Sequence, residues 1–454
     1  MTNARSRLIL INPWIYDFAA YDLWSKPLGL LTLAGFLRNR GFPVHLIDCL
    51  DIHHPAMRGG PSQVRPVRRA HGTGKFFREK APRPAALKDV PRSYSRYGMS
   101  TQLFVKELRV VESPSAILIT SLMTYWYPGV LEAIRLAKEI HPATPVILGG
   151  VYARLCTEHA RRVSGADEVV TAAGSQAFSE LLRILARFGI EGVSPNPVLH
   201  PYPSFDLLHG IDYVCIQTSS GCPFRCRYCA SPFLDPHLSR RDPLQVLEEI
   251  HYWQTQWGVK DFAFYDDALL VAFESHLKIL LEKVATEKRG LGFHTPNALH
   301  VREITPAVAR LLFASGFQTI RLGLETSDMG LHHKLDGKVS AGEFEKAVRC
   351  LAAAGYCRDQ IGVYVLAGLP NQSVASVEES VRHVDRAGAT PYLAEYSPIP
   401  HTPLWKDALS CSEYDLAHEP LFHNNTLLPC WNVDQRERFA HVRREALRIR
   451  RCVG

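Results

Sequence analysis

Six short apolar stretches, each followed by a segment of helical spacing, fill residues 213–396 and limit the fold more tightly than any other feature. They are 213–218, 262–265, 292–295, 319–324, 362–366 and 392–396. Strands alternating with helices imply a parallel sheet covered by helices. Six repeats are too few to close an eight-fold barrel, so a partial (β/α)6 TIM-type barrel is expected, with its site at the carboxyl ends of the strands. Asp242-Pro243 and Thr305-Pro306 pair a capping residue with Pro at the first helical position, and Ser340 with Glu343 spells a capping box.

A second alternation precedes it, with strands expected at 8–11, 44–47, 116–120, 145–148 and 168–170 and helices at 30–38, 127–140 and 176–188. This is the pattern of a doubly wound, Rossmann- or flavodoxin-like α/β sheet. Between the two lies VSPNPVLHPYPSFD, 193–206, a Pro-rich linker. At 454 residues the chain exceeds what one core usually supports. The division expected is a domain at 1–192 with a basic insertion at about 55–100, the linker 193–206, the partial barrel 207–400 and an extension 401–454 ending in a short helical tail.

The opening MTNARSRLILINPW is too short in its apolar run for a signal or a membrane span, and a soluble cytoplasmic protein is expected. A net charge of +7 does not by itself imply nucleic acid. Its distribution is uneven: between Arg58 and Arg96 stand eleven Lys and Arg against Glu79 and Asp89. That run reads either as a solvated insertion or as an arm folding over an acidic or phosphate-bearing ligand. Its few aromatics, Phe76, Phe77 and Tyr94, count against nucleic acid.

The 11 cysteines, an odd number, argue against a disulfide framework. Just past the first barrel strand, GCPFRCRYCASP sets Cys222, Cys226 and Cys229 at C-x-x-x-C-x-x-C spacing. A structural zinc site needs four ligands, whereas a 4Fe-4S cluster on three thiolates keeps one iron open. The alternative is a zinc knuckle completed by a distant Cys or His. No second group has cluster-like spacing: Cys350 and Cys357 read as small apolar residues and Cys411, Cys430 and Cys452 are scattered, so a single cluster is expected.

This motif resembles that of the radical S-adenosylmethionine (SAM) superfamily. The resemblance implies that the open iron chelates the methionine moiety of SAM, and that an electron from an external donor such as flavodoxin or ferredoxin releases a 5′-deoxyadenosyl radical. It further implies SAM contacts by Tyr228 before the last Cys, Asp266 and Asp267 in FYDDALL, Asn297 in TPNAL, Glu325 and Thr326 in RLGLETSD, and Val363 and Gly368 in GVYVLAGLPNQS. Taken singly, the acids also read as helix caps or ion-pair partners at strand ends.

The first domain is similar to the cobalamin-binding-like domains that precede the radical module in one branch of the superfamily. LINP, KPLGLLTLAGFLRNRGFPVHLID, ITSLMTYWYPGVLEAI and PVILGGVYA carry the similarity, which implies cobalamin contacts by Ser121, Leu122, Thr124, Gly149, Gly150 and Tyr152. The D-x-H-x-x-G signature for a cobalt-binding His is missing after the first strand, and Asp51-Ile52-His53 matches it only in part. AEYSPIPHTPLW with HNNT resembles a segment of the same branch and offers Glu395, Tyr396, His401 and His423 on the substrate side. The function expected is cobalamin-dependent methyl transfer to an unactivated carbon or phosphorus centre. The alternatives are cobalamin-independent radical rearrangement, cyclisation or sulfur chemistry, and a non-enzymatic iron-sulfur or zinc protein that binds nucleic acid.

Overall fold

In the computed structural model, which describes residues 7–57, 66–192, 202–335 and 337–451 apart from the side chain of Ser175, the run LILIN forms the middle of a sheet. Leu8–Asn12 (β1) is buried at every position, as a strand covered on both faces requires. Val44–Asp48 (β2) flanks it on one side, and Ala116–Ile119 (β3), Val146–Leu148 (β4) and Glu168–Val169 (β5) on the other. All pairings are parallel, in the order β2-β1-β3-β4-β5. This is the flavodoxin order, with its switch point between β1 and β3, where such sheets open a crevice for ligands. Leu30, Ala34 and Leu37 from the helix Leu28–Arg38 and Leu181, Ile184 and Leu185 from the helix Gly174–Arg187 close one face over Leu8, Leu10 and Leu118.

The chain divides into two compact units: Met1–Asp212 with His418–Leu421, and Tyr213–Ala417 with Phe422–Gly454. Of the Pro-rich linker, 193–201 lies outside the described residues. The stretch after it packs into the first unit: Ser204 N donates to Leu31 O at 2.9 Å and Arg38 pairs with Asp206 at 2.8 Å.

The basic insertion is folded, where its lack of apolar period suggested a solvated segment. Ile15–Asp17, Ser95–Tyr97 and Arg78–Lys80 form a small antiparallel sheet, and Tyr21–Asp22 pairs with Gly74–Lys75. Strands of two or three residues are too short to show a period. Phe76 and Tyr97 nonetheless bury themselves against Ile15, Ala20 and Leu50. Arg58 and Arg65 lie outside the described residues.

In the second unit Val214–Ile216 (β6), Asp261–Phe264 (β7), Gly292–His294 (β8), Phe317–Glu325 (β9), Ile361–Ala367 (β10) and Thr390–Glu395 (β11) lie side by side in chain order, all parallel. This is the six-repeat open barrel the sequence pattern predicts. Two helix starts are built as read: Asp242 accepts from Leu244 N and Thr305 from Val308 N, each ahead of a Pro. The Ser340–Glu343 box forms by half, Glu343 accepting from Ser340 N, while Gly342 takes the cap position. The helix Val433–Arg451 closes the chain. No helix among the described residues is long and apolar enough to cross a membrane.

At the end of β2, Asp48 accepts from Asn12 Nδ2 at 2.6 Å and Leu50 N at 3.0 Å. Burial, reinforced by Asp51, pushes its carboxyl from an ordinary 3.8 up to about 6, against the pull of Lys26. The folded state therefore holds this proton more tightly than the unfolded chain, so stability drawn from Asp48 is present below pH 4 and is lost as pH rises through about 6. We expect Asp48→Asn to remove this dependence. Its melting temperature should gain on the parent between pH 4.5 and 7.5, equivalent to about 2 kcal/mol at one 1.36 kcal/mol step per pKa unit over the span from 4.5 to about 6. Parallel melting curves for the two proteins would contradict the assignment.

Candidate active site

The site of the second unit begins with one buried carboxylate. Asp266, just past β7 and 2% exposed, accepts hydrogen bonds of 2.6–3.1 Å from the backbone N–H and the hydroxyl of both Thr218 and Ser219, just past β6. Burial pushes its carboxyl up while these donors pull it back. The turn so fixed runs into Ser219–Ser220, which pairs with Ser239–Arg240 and closes the intervening residues into a loop. Arg241 secures the return, donating from its backbone to Thr218 O and from its side chain to Gln217 O and to the buried Glu249. Gly221 enters the loop at φ +75°, where a Cβ would strike His237 O at 2.5 Å.

The three cysteines lie in this loop. Cys226 is buried; Cys222 and Cys229 are half-buried. Cys229 N donates to Cys226 O, and the Cys229 thiol accepts from Ser231 N at 3.4 Å and donates to Ser231 Oγ at 3.3 Å. Arg227 fastens the middle of the loop, donating to Leu335 O and accepting from Leu404 N. Three thiols in one loop suit a 4Fe-4S cluster with one iron left open, where a structural zinc site takes four ligands.

Around the loop stand the residues expected to meet SAM. The ring of Tyr228 packs into an apolar cluster with Leu335, Leu366, Leu369 and Tyr396. Lys338, which the sequence did not single out, reaches the Tyr228 hydroxyl at 3.5 Å and lies 5.9 Å from the ring centres of both Phe224 and Tyr228. Asp267 is exposed and hydrogen-bonds Ser231. Asn297 donates to the carbonyls of Tyr265 and Asp266 at 3.1 and 3.2 Å. Glu325 is nearly buried at φ +64°, beyond a register shift in β9; a non-Gly residue so held marks strain of the kind kept at functional sites. Thr326 is fully buried and caps Asp328 N, Val363 is buried within β10, and Gly368 at φ +93° turns the chain at its end.

Of the four substrate-side candidates, two are engaged in the fold. Glu395 pairs with Arg443 of the last helix at 2.9 Å, and His423 bonds Leu416 O at 2.8 Å against the Trp405 ring. Tyr396 is buried, and His401, at φ +68°, stacks flat on Phe233 at 4.1 Å.

In the first unit the turns after β3 and β4 lock together. Ser121 Oγ donates to Gly149 O at 2.6 Å and accepts from Ala153 N, and Val151 N donates to Ser121 O at 2.7 Å. Gly150 at φ +95° is required by this contact, since a Cβ would meet Ser121 O at 2.3 Å. Gly149 is less crowded: a Cβ there would meet only Val170 Cβ, at an ordinary contact distance of 3.8 Å. Beside it Leu122 is half-buried and Met123 exposed. Thr124 is buried, and Tyr152 is held by a 2.7 Å bond to His159 and a stack on Tyr127. His53, the partial signature, bonds Asp212 at 2.8 Å, and Asp51 bonds His209 at 2.8 Å.

Residues 216–384 match the family model described as Radical SAM superfamily, and residues 101–182 that of the B12 binding domain. The chain belongs to the radical SAM superfamily, with a B12-binding domain ahead of the radical SAM module. It is 24% identical over 329 residues to an uncharacterized methyltransferase of Pyrococcus horikoshii, covering 65% of this chain and 70% of that one. A second uncharacterized methyltransferase, from Synechocystis, is 24% identical over 303 residues, 64% of this chain and 55% of its own length. In fold it is similar to the radical SAM methyltransferase TsrM from Kitasatospora setae, solved with cobalamin and a [4Fe-4S] cluster, with a TM-score of 0.66 at 15% identity over 98% of this chain and 89% of that one.

The cofactors of a radical SAM module with a B12 domain are a 4Fe-4S cluster, SAM and cobalamin. The residues present fit them: three thiols in one loop past β6, and a pair of glycines in the turn after β4 of the flavodoxin-type sheet. We expect Asp266→Ala to free four donors of the Thr218–Ser219 turn, costing on the order of 3 kcal/mol or more. Iron retained after anaerobic reconstitution should fall by more than half. Full iron content with an unchanged melting temperature would count against the turn as the support of the cysteine loop.

Proposed function

We propose that this radical SAM enzyme catalyses cobalamin-dependent methyl transfer to an unactivated carbon or phosphorus centre. The observation that carries the reading is the pairing in one chain of a three-thiol loop on an open barrel with a flavodoxin-type sheet whose β4 turn carries Gly149 and Gly150. Relatives named as methyltransferases fall on the same side. When bound, the cluster supplies the electron that splits SAM, and cobalamin carries the methyl group.

The chain's own residues bind, orient and exclude water. Cys222, Cys226 and Cys229 hold the cluster. Tyr228 offers its ring to the adenine, and Lys338 holds its hydroxyl end in place. Glu325, Asn297 and Asp267 stand at the ends of β9, β8 and β7, where carboxylate and amide groups meet the ribose and the methionine ammonium. Asp266 serves the same end indirectly, by holding the turn that leads to the cysteines. The apolar cluster of Leu335, Leu366, Leu369 and Tyr396 keeps water from Tyr228. His401 on its Phe233 platform and Tyr396 face substrate, while Glu395 and His423 shape the wall from the fold side. Ser121, Leu122, Thr124, Gly149, Gly150 and Tyr152 would form the cobalamin cradle. An external donor such as flavodoxin or ferredoxin supplies electrons in the cytoplasm.

The anaerobically reconstituted, reduced enzyme should release 5′-deoxyadenosine from SAM, and Cys222→Ala should abolish release. After incubation with hydroxocobalamin and desalting, corrin absorption should stay with the protein. Gly149→Leu, whose Cβ would meet only ordinary contact with Val170, should fold, as circular dichroism checks, and lose most of the corrin while leaving deoxyadenosine release intact. Deoxyadenosine without retained corrin in the parent protein would move the reading to cobalamin-independent rearrangement or cyclisation.

A further inference from the structure

Some cations of the insertion are taken up by carboxylate or carbonyl acceptors and others are not. Arg68 is taken up by Asp22 and Asp212 at 2.9 and 3.4 Å, Arg96 by Glu79 at 2.5 Å, and Arg83 by the carbonyls of Lys88 and Arg92. Lys75, Arg78 and Arg92 form no ion pair among the described residues, and all three line one cavity of about 320 Å³ on the two small antiparallel sheets of the first unit. The rest of its lining is largely apolar, with Phe18, Tyr21, Val67, Phe76 and Tyr97.

Aromatic groups place these cations in lieu of carboxylates. Arg92 sits 5.8 Å from the centre of the Phe18 ring. Arg78 lies directly across the ladder from Tyr97 and hydrogen-bonds its hydroxyl, which in turn donates to Phe18 O at 3.4 Å. Lys75 is paired across its own ladder with Tyr21. A solvated basic face spreads its charges outward and needs no floor. Here three unneutralised cations ring an apolar floor built from buried Phe18, Phe76 and Tyr97, in a cavity of ligand size.

We infer that this cavity binds an organic anion, a phosphate or carboxylate carried on a flat apolar body. Charge-assisted hydrogen bonds from Arg78, Arg92 and Lys75 take the anionic group, and the aromatic floor takes the body. The inference rests on the first unit alone and does not depend on the cofactors or on the methyl-transfer reading.

Calorimetric titration of the full chain with 1-naphthyl phosphate and 1-naphthoate tests it, and the tighter of the two identifies the anionic group. Inorganic phosphate and 1-naphthol, each carrying half of the recognised structure, should bind at least about tenfold more weakly than the better of the pair. Arg78→Gln with Arg92→Gln should weaken that ligand by about tenfold or more, and Phe18→Leu should weaken it with the cations intact. Lys80→Gln, outside the cavity, should bind as the parent does, and circular dichroism checks the fold of each variant. Inorganic phosphate binding as tightly as naphthyl phosphate would reduce the cavity to a charged patch and overturn the proposal. So would full affinity in the folded double variant, or binding of neither naphthyl ligand by the parent.

Discussion

The second unit depends on the hold of Asp266 on Thr218 and Ser219. A carboxylate removed from water is costly unless its oxygens are taken up. Here two backbone N–H groups and two hydroxyls do so, and the turn after β6 is thereby tied to the end of the neighbouring strand β7. Everything downstream inherits that geometry: the short Ser219–Ser220 ladder, the left-handed Gly221, and the loop on which the thiols sit. Arg241 and the buried Glu249 fix the other end of the same loop. The loop that carries the three cysteines thus rests on a hydrogen-bond network outside the loop itself.

The first unit solves a different problem with the same economy of parts. Gly150 lets the β4 turn close against Ser121, where a Cβ would meet Ser121 O at 2.3 Å, while a Cβ at Gly149 would make only ordinary contact with Val170. Two adjacent glycines that look alike in sequence therefore differ in how strictly the turn requires them.

Much of this was legible in the sequence. The strands of both parallel sheets lie where apolar runs place them, since buried parallel strands read as continuous apolar stretches. Asp242 and Thr305 cap their helices because capping is a local interaction. The spacing of Cys222, Cys226 and Cys229 was legible for a similar reason, and it sets the three thiols in one loop. What escaped reading is non-local. Asp266 meets Thr218 and Ser219 across nearly fifty residues, and it could be named as a strand-end acid but not as the anchor of the turn. Lys338 reaches Tyr228 across 110 positions with no motif to flag it. The basic insertion hid its fold in strands of two and three residues, held by aromatic burial in place of period.

The central claim is that the three cysteines hold one cluster with an iron left open to SAM. Electron paramagnetic resonance of the reduced, reconstituted protein, with SAM labelled by nitrogen-15 at its amino group, addresses it most directly. The account predicts about four irons per chain, a signal that shifts on adding SAM, and a hyperfine coupling to the labelled nitrogen. A signal indifferent to SAM, or a protein that takes up zinc in place of iron, would contradict it.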